Sequence, residues 1–201
     1  MDRAPGHLSR AIVTETPATR IKLITLGNPG AGKSALVKQF CEGAFSSEYV
    51  ATIGIDYGVK TLSLTAPVAT AASSPTLVKV NFWDMAGDPV YQDVRNEFYR
   101  DTDGAIVVFD VCSKISFQAV DRWIAELRSY GDERVRLVLV GNKCESERRL
   151  ISAEAASAKA EALGCRYQEA SAMTGKGVHD IFMPMIQTIT YVRQKTTTKP
   201  K

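Results

Sequence analysis

The residues with the clearest chemistry in this sequence form one short stretch, residues 27–34, with the sequence GNPGAGKS. Small residues let backbone N–H groups turn toward one centre, and the N-terminus of a following helix adds positive potential there. Lys33 can reach terminal phosphate groups from this position, and the Ser34 hydroxyl can bind Mg²⁺. The stretch therefore predicts a polyphosphate site, and a glycine-rich turn that matches by chance is the alternative. The residues expected at the phosphates are Asn28, Pro29, Gly30, Ala31, Gly32, Lys33, Ser34 and Ala35.

The neighbouring sequence predicts the elements that this stretch needs. Residues 21–26 form an apolar run that predicts a strand, and residues 35–40 have apolar positions at helical spacing. A second strand is predicted at residues 78–82, where apolar and polar residues alternate, and it places Asp84 at its carboxyl end. Ligands bind at that edge of a parallel sheet, so we expect Asp84 to approach the phosphate site.

Two later loops are suited to recognise a nucleotide base. Residues 141–145 and 171–173 each follow a predicted strand, and both loops leave the carboxyl edge of the sheet. The Glu145 carboxylate can accept hydrogen bonds from the amino and ring N–H groups of guanine, and backbone N–H groups of the second loop can donate to its carbonyl. Adenine presents the wrong pattern to both loops, which would leave polar groups unpaired. The predicted base-binding residues are Asn142, Lys143, Glu145, Ser171, Ala172 and Met173.

The order of the predicted elements indicates the fold class. Continuous apolar runs at residues 105–109 and 135–140 suit central strands that helices cover on both faces. Strands and helices alternate through the whole chain. We therefore predict a doubly wound α/β domain of the P-loop NTPase type, with a mostly parallel six-stranded sheet and helices on both faces.

Length and local composition set the predicted domain limits. A chain of 201 residues fits one domain with short ends. Residues 1–19 mix proline, glycine, threonine and charged residues without apolar periodicity, which predicts a flexible N-terminal arm. We place the domain at residues 20–193, with a disordered hairpin insertion at residues 66–76 and a flexible C-terminal tail at residues 194–201.

The composition argues against several classes of protein. The formal net charge of +3 and the pI near 8.6 are too mild to predict a nucleic-acid partner. The four cysteines are dispersed without a C-x-x-C pair, which argues against a zinc site or a disulfide framework. The sequence contains neither a membrane-spanning apolar run nor a lipidation motif. We expect a cytoplasmic protein without an encoded lipid anchor, with a nuclear or peripheral location reached only through partners.

Taken together, the motifs give residues 20–193 a resemblance to the small GTPases of the Ras superfamily, closest to the Rab branch. Residues 27–34 resemble the phosphate loop of that family. The other matching segments are ATIGIDY at residues 51–57, WDMAGD at residues 83–88, NKCE at residues 142–145 and SAM at residues 171–173. They resemble, in that order, the Rab effector loop and the motifs W-D-T-A-G-Q, N-K-x-D and S-A-K. The resemblance implies a guanine-nucleotide switch that binds GTP or GDP with Mg²⁺ and hydrolyses GTP.

The resemblance also implies roles for individual residues in the site. Ser34 and Thr52 would bind Mg²⁺, and Asp84 would hold the ion through water. The Gly87 amide would sense the γ-phosphate of GTP. Phe45 matches the aromatic residue that packs on the guanine. Each of these roles is an expectation that depends on the fold bringing the segments together.

Partner binding is implied by the same resemblance. Trp83 and Tyr99 match positions that report the nucleotide state to effectors in Rab proteins. Effector, exchange and activating proteins would bind through residues 43–57 and 85–100, and the protein would act as a monomer. Such switches regulate signalling or membrane traffic.

Several residues depart from the family pattern. Lys33 and Asp88 are the candidate catalytic residues, but Asp88 stands where the family has the glutamine that orients the attacking water. Its shorter, anionic side chain lacks an amide donor, so we expect slow hydrolysis. Glu145 replaces the base-binding aspartate and is one methylene longer, and Met173 replaces a lysine. Pro29 replaces a small residue and restricts the loop near the γ-phosphate.

These departures leave more than one function open. Residues 94–102 and the absent prenylation cysteine make the chain resemble the Rab-like group called RJL, some members of which have a DnaJ domain after the GTPase domain. One alternative is a scaffold that stays GTP-bound and barely hydrolyses, and another is an unrelated P-loop kinase or ATPase. Two residues also have non-functional alternatives: Asp88 can be a solvated turn residue, and Glu145 can point to solvent.

Overall fold

The computed structural model describes residues 18–65 and 75–197, which form one sheet with helices on both sides. The strands are β1 (Thr19–Leu26), β2 (Ile55–Leu64), β3 (Thr76–Met85), β4 (Gly104–Asp110), β5 (Arg136–Asn142) and β6 (Arg166–Glu169). The helices are α1 (Lys33–Glu42), α2 (Gln92–Asn96), α3 (Lys114–Gln118), α4 (Val120–Tyr130), α5 (Ala153–Ala162) and α6 (Val178–Thr197). A 3₁₀ turn at Pro89–Tyr91 precedes α2.

The six strands lie in the order β2-β3-β1-β4-β5-β6. Neighbouring strands are parallel except β2 and β3, which are antiparallel. The predicted fold class is therefore confirmed. Because β3 and β4 flank β1 on opposite sides, the chain reverses its direction of winding at β1, and the loop after β1 lies where ligands bind in this architecture.

Two hydrophobic cores hold the helices against the sheet. On one face, α1 and α6 pack on the strands, and Phe82 and Phe182 are fully buried between them. On the other face, α4 and α5 pack on the strands, and Phe109 and Trp123 lie in that core. The central strands are therefore covered on both faces, which explains their continuous apolar sequence.

The observed elements move three of the predicted boundaries. Strand β1 begins at Thr19 and strand β3 at Thr76, so each begins within a segment predicted to be flexible. The rest of those two predictions falls mainly on residues 1–17 and 66–74, which lie outside the described residues. Helix α6 continues to Thr197, past the predicted boundary at residue 193. Residues 185–199 contain no glycine or proline, so the sequence has no signal that would end the helix there.

The sheet brings the carboxyl ends of its parallel strands to one edge. The loops that follow β1, β3, β5 and β6 contain the predicted phosphate and base residues, and all leave the sheet at this edge. Within the described part of the chain, no helix combines the length and apolarity needed to cross a membrane.

Candidate functional site

The loop between β1 and α1, residues 27–34, is called the phosphate loop below. Gly32 ends its turn with φ 94° and ψ 24°, a left-handed conformation that glycine adopts without strain. A Cβ atom at Gly32 would lie 2.1 Å from the side-chain nitrogen of Asn142. The Ala31 N–H donates to the Asn28 carbonyl at 3.2 Å. Both the backbone angle and the close contact therefore require glycine where the helix begins.

Lys33 is the first residue of α1 and lies almost wholly inside the protein, with 5% exposure. Its ammonium group donates to the Asn28 carbonyl at 3.2 Å, across the phosphate loop. Burial lowers the pKa of Lys33 to about 8, against the attraction of the Asp84 carboxylate. A polyanion in the loop would stabilise the charged lysine, as expected of a phosphate-binding residue.

The three residues predicted to bind Mg²⁺ come together beside this loop. The Ser34 hydroxyl donates to one carboxylate oxygen of Asp84 and lies 3.0 Å from the Thr52 hydroxyl. The other oxygen of Asp84 accepts from the Thr25 hydroxyl at 2.5 Å, since the two residues are partners across β1 and β3. Burial raises the pKa of Asp84, against the hydrogen bonds from Ser34 and Thr25. Oxygen donors of this kind fit Mg²⁺.

Two further residues pack on the phosphate loop. The side chain of Asn142, at the end of β5, donates to the Ala31 carbonyl at 2.9 Å. Gly87, after β3, lies so close that a Cβ atom there would be 2.5 Å from both the Gly27 carbonyl oxygen and the Pro29 nitrogen. Any larger residue would push the segment after β3 away from the loop. The predicted γ-phosphate sensor therefore lies against the predicted phosphate site.

Asp88 has a structural role in addition to its place near the site. Its carboxylate accepts a hydrogen bond from the Val90 N–H at 2.9 Å and so caps the 3₁₀ turn. The side chain is exposed, as the turn-residue alternative requires. Asp88 also lines the cavity over the phosphate loop. Asp88 therefore faces the candidate cavity while its carboxylate is engaged by the turn.

Asn142 connects the two loops predicted to bind the base. In addition to its contact with the phosphate loop, it accepts a hydrogen bond from the Ala172 N–H at 3.1 Å. Ser171 is fully buried, and its hydroxyl accepts from the Thr174 N–H at 3.0 Å. The backbone of residues 171–173 is therefore fixed relative to the phosphate loop through one asparagine side chain.

The side chains predicted to contact the base directly are less enclosed. Glu145 is exposed, and Met173 is 52% exposed. Lys143 adopts φ 65°, and its ammonium group lies 2.7 Å from the carboxylate of Asp110. Sequence reasoning did not single out Asp110, although its position at the carboxyl end of β4 is a usable signal.

A cavity of about 540 Å³ opens over the phosphate loop. Residues 44–53 also line it, as do Gly87, Asp88, Val90 and Tyr91, so Phe45 and Thr52 share one space with Lys33. A larger groove, about 1100 Å³, lies at the opposite edge of the sheet and contains none of the predicted site residues among the described ones. The smaller cavity is therefore the candidate site, because the chemically suited groups face it.

An aromatic cluster lies beside the segments predicted to bind partners. The ring of Trp83 lies 4.9 Å from that of Tyr57 and 5.0 Å from that of Phe98. Tyr99, which the resemblance predicts to report the nucleotide state to effectors, is fully buried. Its hydroxyl donates to the buried carboxylate of Glu126, whereas Phe98 is only partly buried.

Two residues that organise the site were missed. Thr25 is a polar residue inside the apolar run of β1, and that interruption was a usable signal. Arg95 is buried, and its guanidinium donates to the carbonyls of Ala86 and Asp88 at 3.1 and 2.8 Å. The sequence around Arg95 is polar, so no local pattern separates it from a solvated arginine.

The chain is similar to known proteins over most of its length. Residues 22–191 match the model of the Ras family. DnaJ homolog subfamily C member 27 of Rattus norvegicus is 42% identical over 176 residues, covering 85% of this chain and 61% of the relative. The Homo sapiens protein of that name is 41% identical over 169 residues, covering 81% and 59%. That of Danio rerio is 38% identical over 177 residues, covering 85% and 62%. The chain therefore spans about 60% of the length of these relatives.

Proposed function

This chain belongs to the Ras family of small GTPases, and we propose that it is a Rab-like guanine-nucleotide switch that binds GTP and GDP with Mg²⁺. The observation that carries the proposal is the convergence of Lys33, Ser34, Thr52 and Asp84 at the phosphate loop. These groups come from helix α1, the loop before β2 and strand β3, and together they offer one buried cation and a set of oxygen donors. Such a combination suits a Mg²⁺-bound polyphosphate.

In this proposal each residue has a stated task. The phosphate loop and Lys33 would hold the phosphates, Ser34 and Thr52 would bind Mg²⁺, and Asp84 would hold the ion through water. When bound, Mg²⁺ offsets the negative charge of the phosphates. The hydroxyl of Thr25 keeps the Asp84 carboxylate oriented for this task. The Asp84 carboxylate is thus already oriented by a neighbouring residue before Mg²⁺ binds.

Guanine recognition is assigned to the base loops. Glu145 accepts from the guanine N–H groups, and backbone N–H groups of residues 171–173 donate to its carbonyl. Phe45, which lines the cavity and is 41% exposed, packs on the base. The support for this assignment is the Asn142 side chain, whose hydrogen bonds fix residues 171–173 relative to the phosphate loop.

Hydrolysis in this proposal is slow. The Asp88 carboxylate offers no donor for the attacking water and is engaged by the Val90 N–H. The same observation favours a second candidate function, a scaffold that stays GTP-bound and serves as a constitutive interaction module. The two differ in whether the nucleotide is turned over, which single-turnover hydrolysis measures directly.

The finer classification is part of the proposal as well. Residues 51–57 and the aromatic cluster of Tyr57, Trp83 and Phe98 favour the Rab-like type. Asp88 in place of the glutamine favours the RJL group. Effector, exchange and activating proteins would bind a monomer through residues 43–57 and 85–100, in signalling or membrane traffic within the cytoplasm.

Nucleotide competition tests this proposal. The full chain is loaded with fluorescent GDP, which is then displaced by GTP, GDP or ATP in Mg²⁺ and in EDTA. We expect GTP and GDP to compete at least about 100-fold better than ATP, because unpaired polar groups penalise adenine. We also expect EDTA to weaken GTP binding. Equal competition by ATP and GTP would contradict the guanine assignment.

A further inference from the structure

Arg95 forms a buried ion pair that the proposed phosphate chemistry does not use. Its Nε donates to Oε1 of Glu126 at 2.7 Å, and its Nη2 donates to Oε2 at 3.0 Å. The two side chains are 2% and 7% exposed. Tyr99 donates its hydroxyl to the same carboxylate at 2.7 Å. A two-pronged contact of this kind fixes the orientation of the guanidinium group.

The third nitrogen of the Arg95 guanidinium group, Nη1, binds the segment that contains Gly87. Nη1 donates to the carbonyls of Ala86 and Asp88, the residues on either side of Gly87. Burial by itself lowers the pKa of Arg95, but the hydrogen bonds and charge of Glu126 raise it overall, so the guanidinium remains charged. Glu126, on helix α4, therefore fixes the backbone on either side of Gly87 through Arg95.

Trp123, one turn earlier in α4, connects the same unit to the phosphate loop. The guanidinium carbon of Arg95 lies 4.8 Å from the centre of its indole ring. The indole N–H donates to the side-chain oxygen of Asn28 at 2.8 Å. The Asn28 carbonyl in turn accepts from Lys33. Helix α4 is thus connected to both segments that would face a terminal phosphate, to one through the Asn28 side chain and to the other through Arg95.

We propose that Arg95, Glu126 and Trp123 form a positioning unit that makes the site prefer a nucleoside triphosphate over the diphosphate. The inference rests on the proposed function, because it requires a nucleotide in the phosphate loop. In the proposed function, the γ-phosphate would contact both the phosphate loop and the Gly87 amide, so its binding depends on both segments being held in place. A diphosphate lacks that group and depends on the loop alone. Weakening the unit therefore penalises triphosphate binding selectively.

Paired affinity measurements test this inference. The dissociation constants of GDP and of the slowly hydrolysed analogue GTPγS are measured for the full chain and three variants. In Arg95→Lys, which keeps the charge but loses the planar fork, we expect GTPγS affinity to fall about tenfold and GDP affinity to stay within about twofold. In Trp123→Phe, which removes the indole N–H, we expect a selective loss of about threefold. The control is Arg134→Lys, at an exposed arginine paired with Asp132, and it should leave the ratio unchanged.

The outcomes separate this inference from the function on which it rests. Wild-type protein that binds neither nucleotide would overturn the proposed function, and the inference with it. Wild-type protein that binds both, with an unchanged ratio in Arg95→Lys and Trp123→Phe, would overturn the inference alone. So would an equal loss of both affinities, since that result indicates only a structural role. If Arg95→Lys fails to fold in a thermal melt, the Trp123→Phe result decides.

Discussion

The two ends of the candidate site differ in how far the fold alone fixes them. At the phosphate end, Lys33 and Asp84 are 5% and 4% exposed, and the functional atoms already have hydrogen-bond partners. At the base end, Asn142 is buried, but Glu145 and Met173 lie at the surface. The charged side chains of the phosphate end, Lys33 and Asp84, are buried against the sheet. The side chains predicted to contact the base, Glu145 and Met173, lie on exposed loops that follow β5 and β6. Side chains fixed by packing are arranged before the ligand arrives, and exposed ones must be ordered by it.

This difference predicts that changes at the phosphate end have the larger effects. The strongest should come from Lys33→Ala, which removes the buried cation. We expect GDP and GTP affinity to fall about 100-fold, as for the loss of charge-assisted hydrogen bonds in an enclosed site. Displacement of fluorescent GDP measures it. Lys195→Ala, in helix α6 and far from the cavity, is the matched control, and an equal loss in both variants would contradict the account.

Ser34→Asn tests the oxygen cluster, with the next largest effect. The longer amide side chain cannot keep the contacts with Thr52 and Asp84 that a hydroxyl makes. We expect GTP affinity in Mg²⁺ to fall about 30-fold, and the difference between Mg²⁺ and EDTA to disappear. Titration of GTP in both conditions measures this. Wild-type affinity for GTP and Mg²⁺ in the variant would show that Ser34 has been misplaced.

Asp88→Gln probes an exposed member of the phosphate end. An amide restores a donor for the attacking water, so we expect single-turnover GTP hydrolysis to rise about tenfold. The variant also loses the cap on Val90, which should lower the free energy of unfolding by about 1 kcal/mol. Asp88→Asn is the control, since asparagine keeps the cap but is too short to replace the glutamine. An unchanged rate in Asp88→Gln would remove Asp88 from the catalytic assignment.

An effect smaller than those at Lys33 and Ser34 is expected at the base end, from Glu145→Ala. Because the carboxylate is exposed, its loss should lower the preference for GDP over ADP by only about tenfold. Glu145→Asp, the family's usual residue, should keep that preference. Competition by GDP and ADP measures both variants. If Glu145→Ala lowered the preference for GDP over ADP by as much as Lys33→Ala lowers nucleotide affinity, the base end would be as preorganised as the phosphate end.

The same contrast explains what the sequence could and could not predict. The phosphate loop and the strand ending at Asp84 were predictable, because their chemistry depends on local spacing and on the carboxyl edge of a parallel sheet. The pairing of Arg95 with Glu126 joins residues 31 positions apart on different helices, and no local periodicity encodes it. The burial of Tyr99 was not predictable either, because the Glu126 carboxylate that accepts from its hydroxyl lies 27 positions away on helix α4. Local motifs thus predicted the ligand groups, but not the residues that support them.

The central claim, a guanine-nucleotide site built on the phosphate loop, is tested most directly by the nucleotide that the protein retains. Freshly purified full chain is denatured, and the released nucleotide is identified and quantified by chromatography. The account predicts guanine nucleotide at about one mole per mole of protein, in keeping with a single site. Mostly GTP would indicate that Asp88 has impaired turnover and favour the scaffold, and mostly GDP would favour the cycling switch. Release of adenine nucleotide, or of none, would contradict the claim.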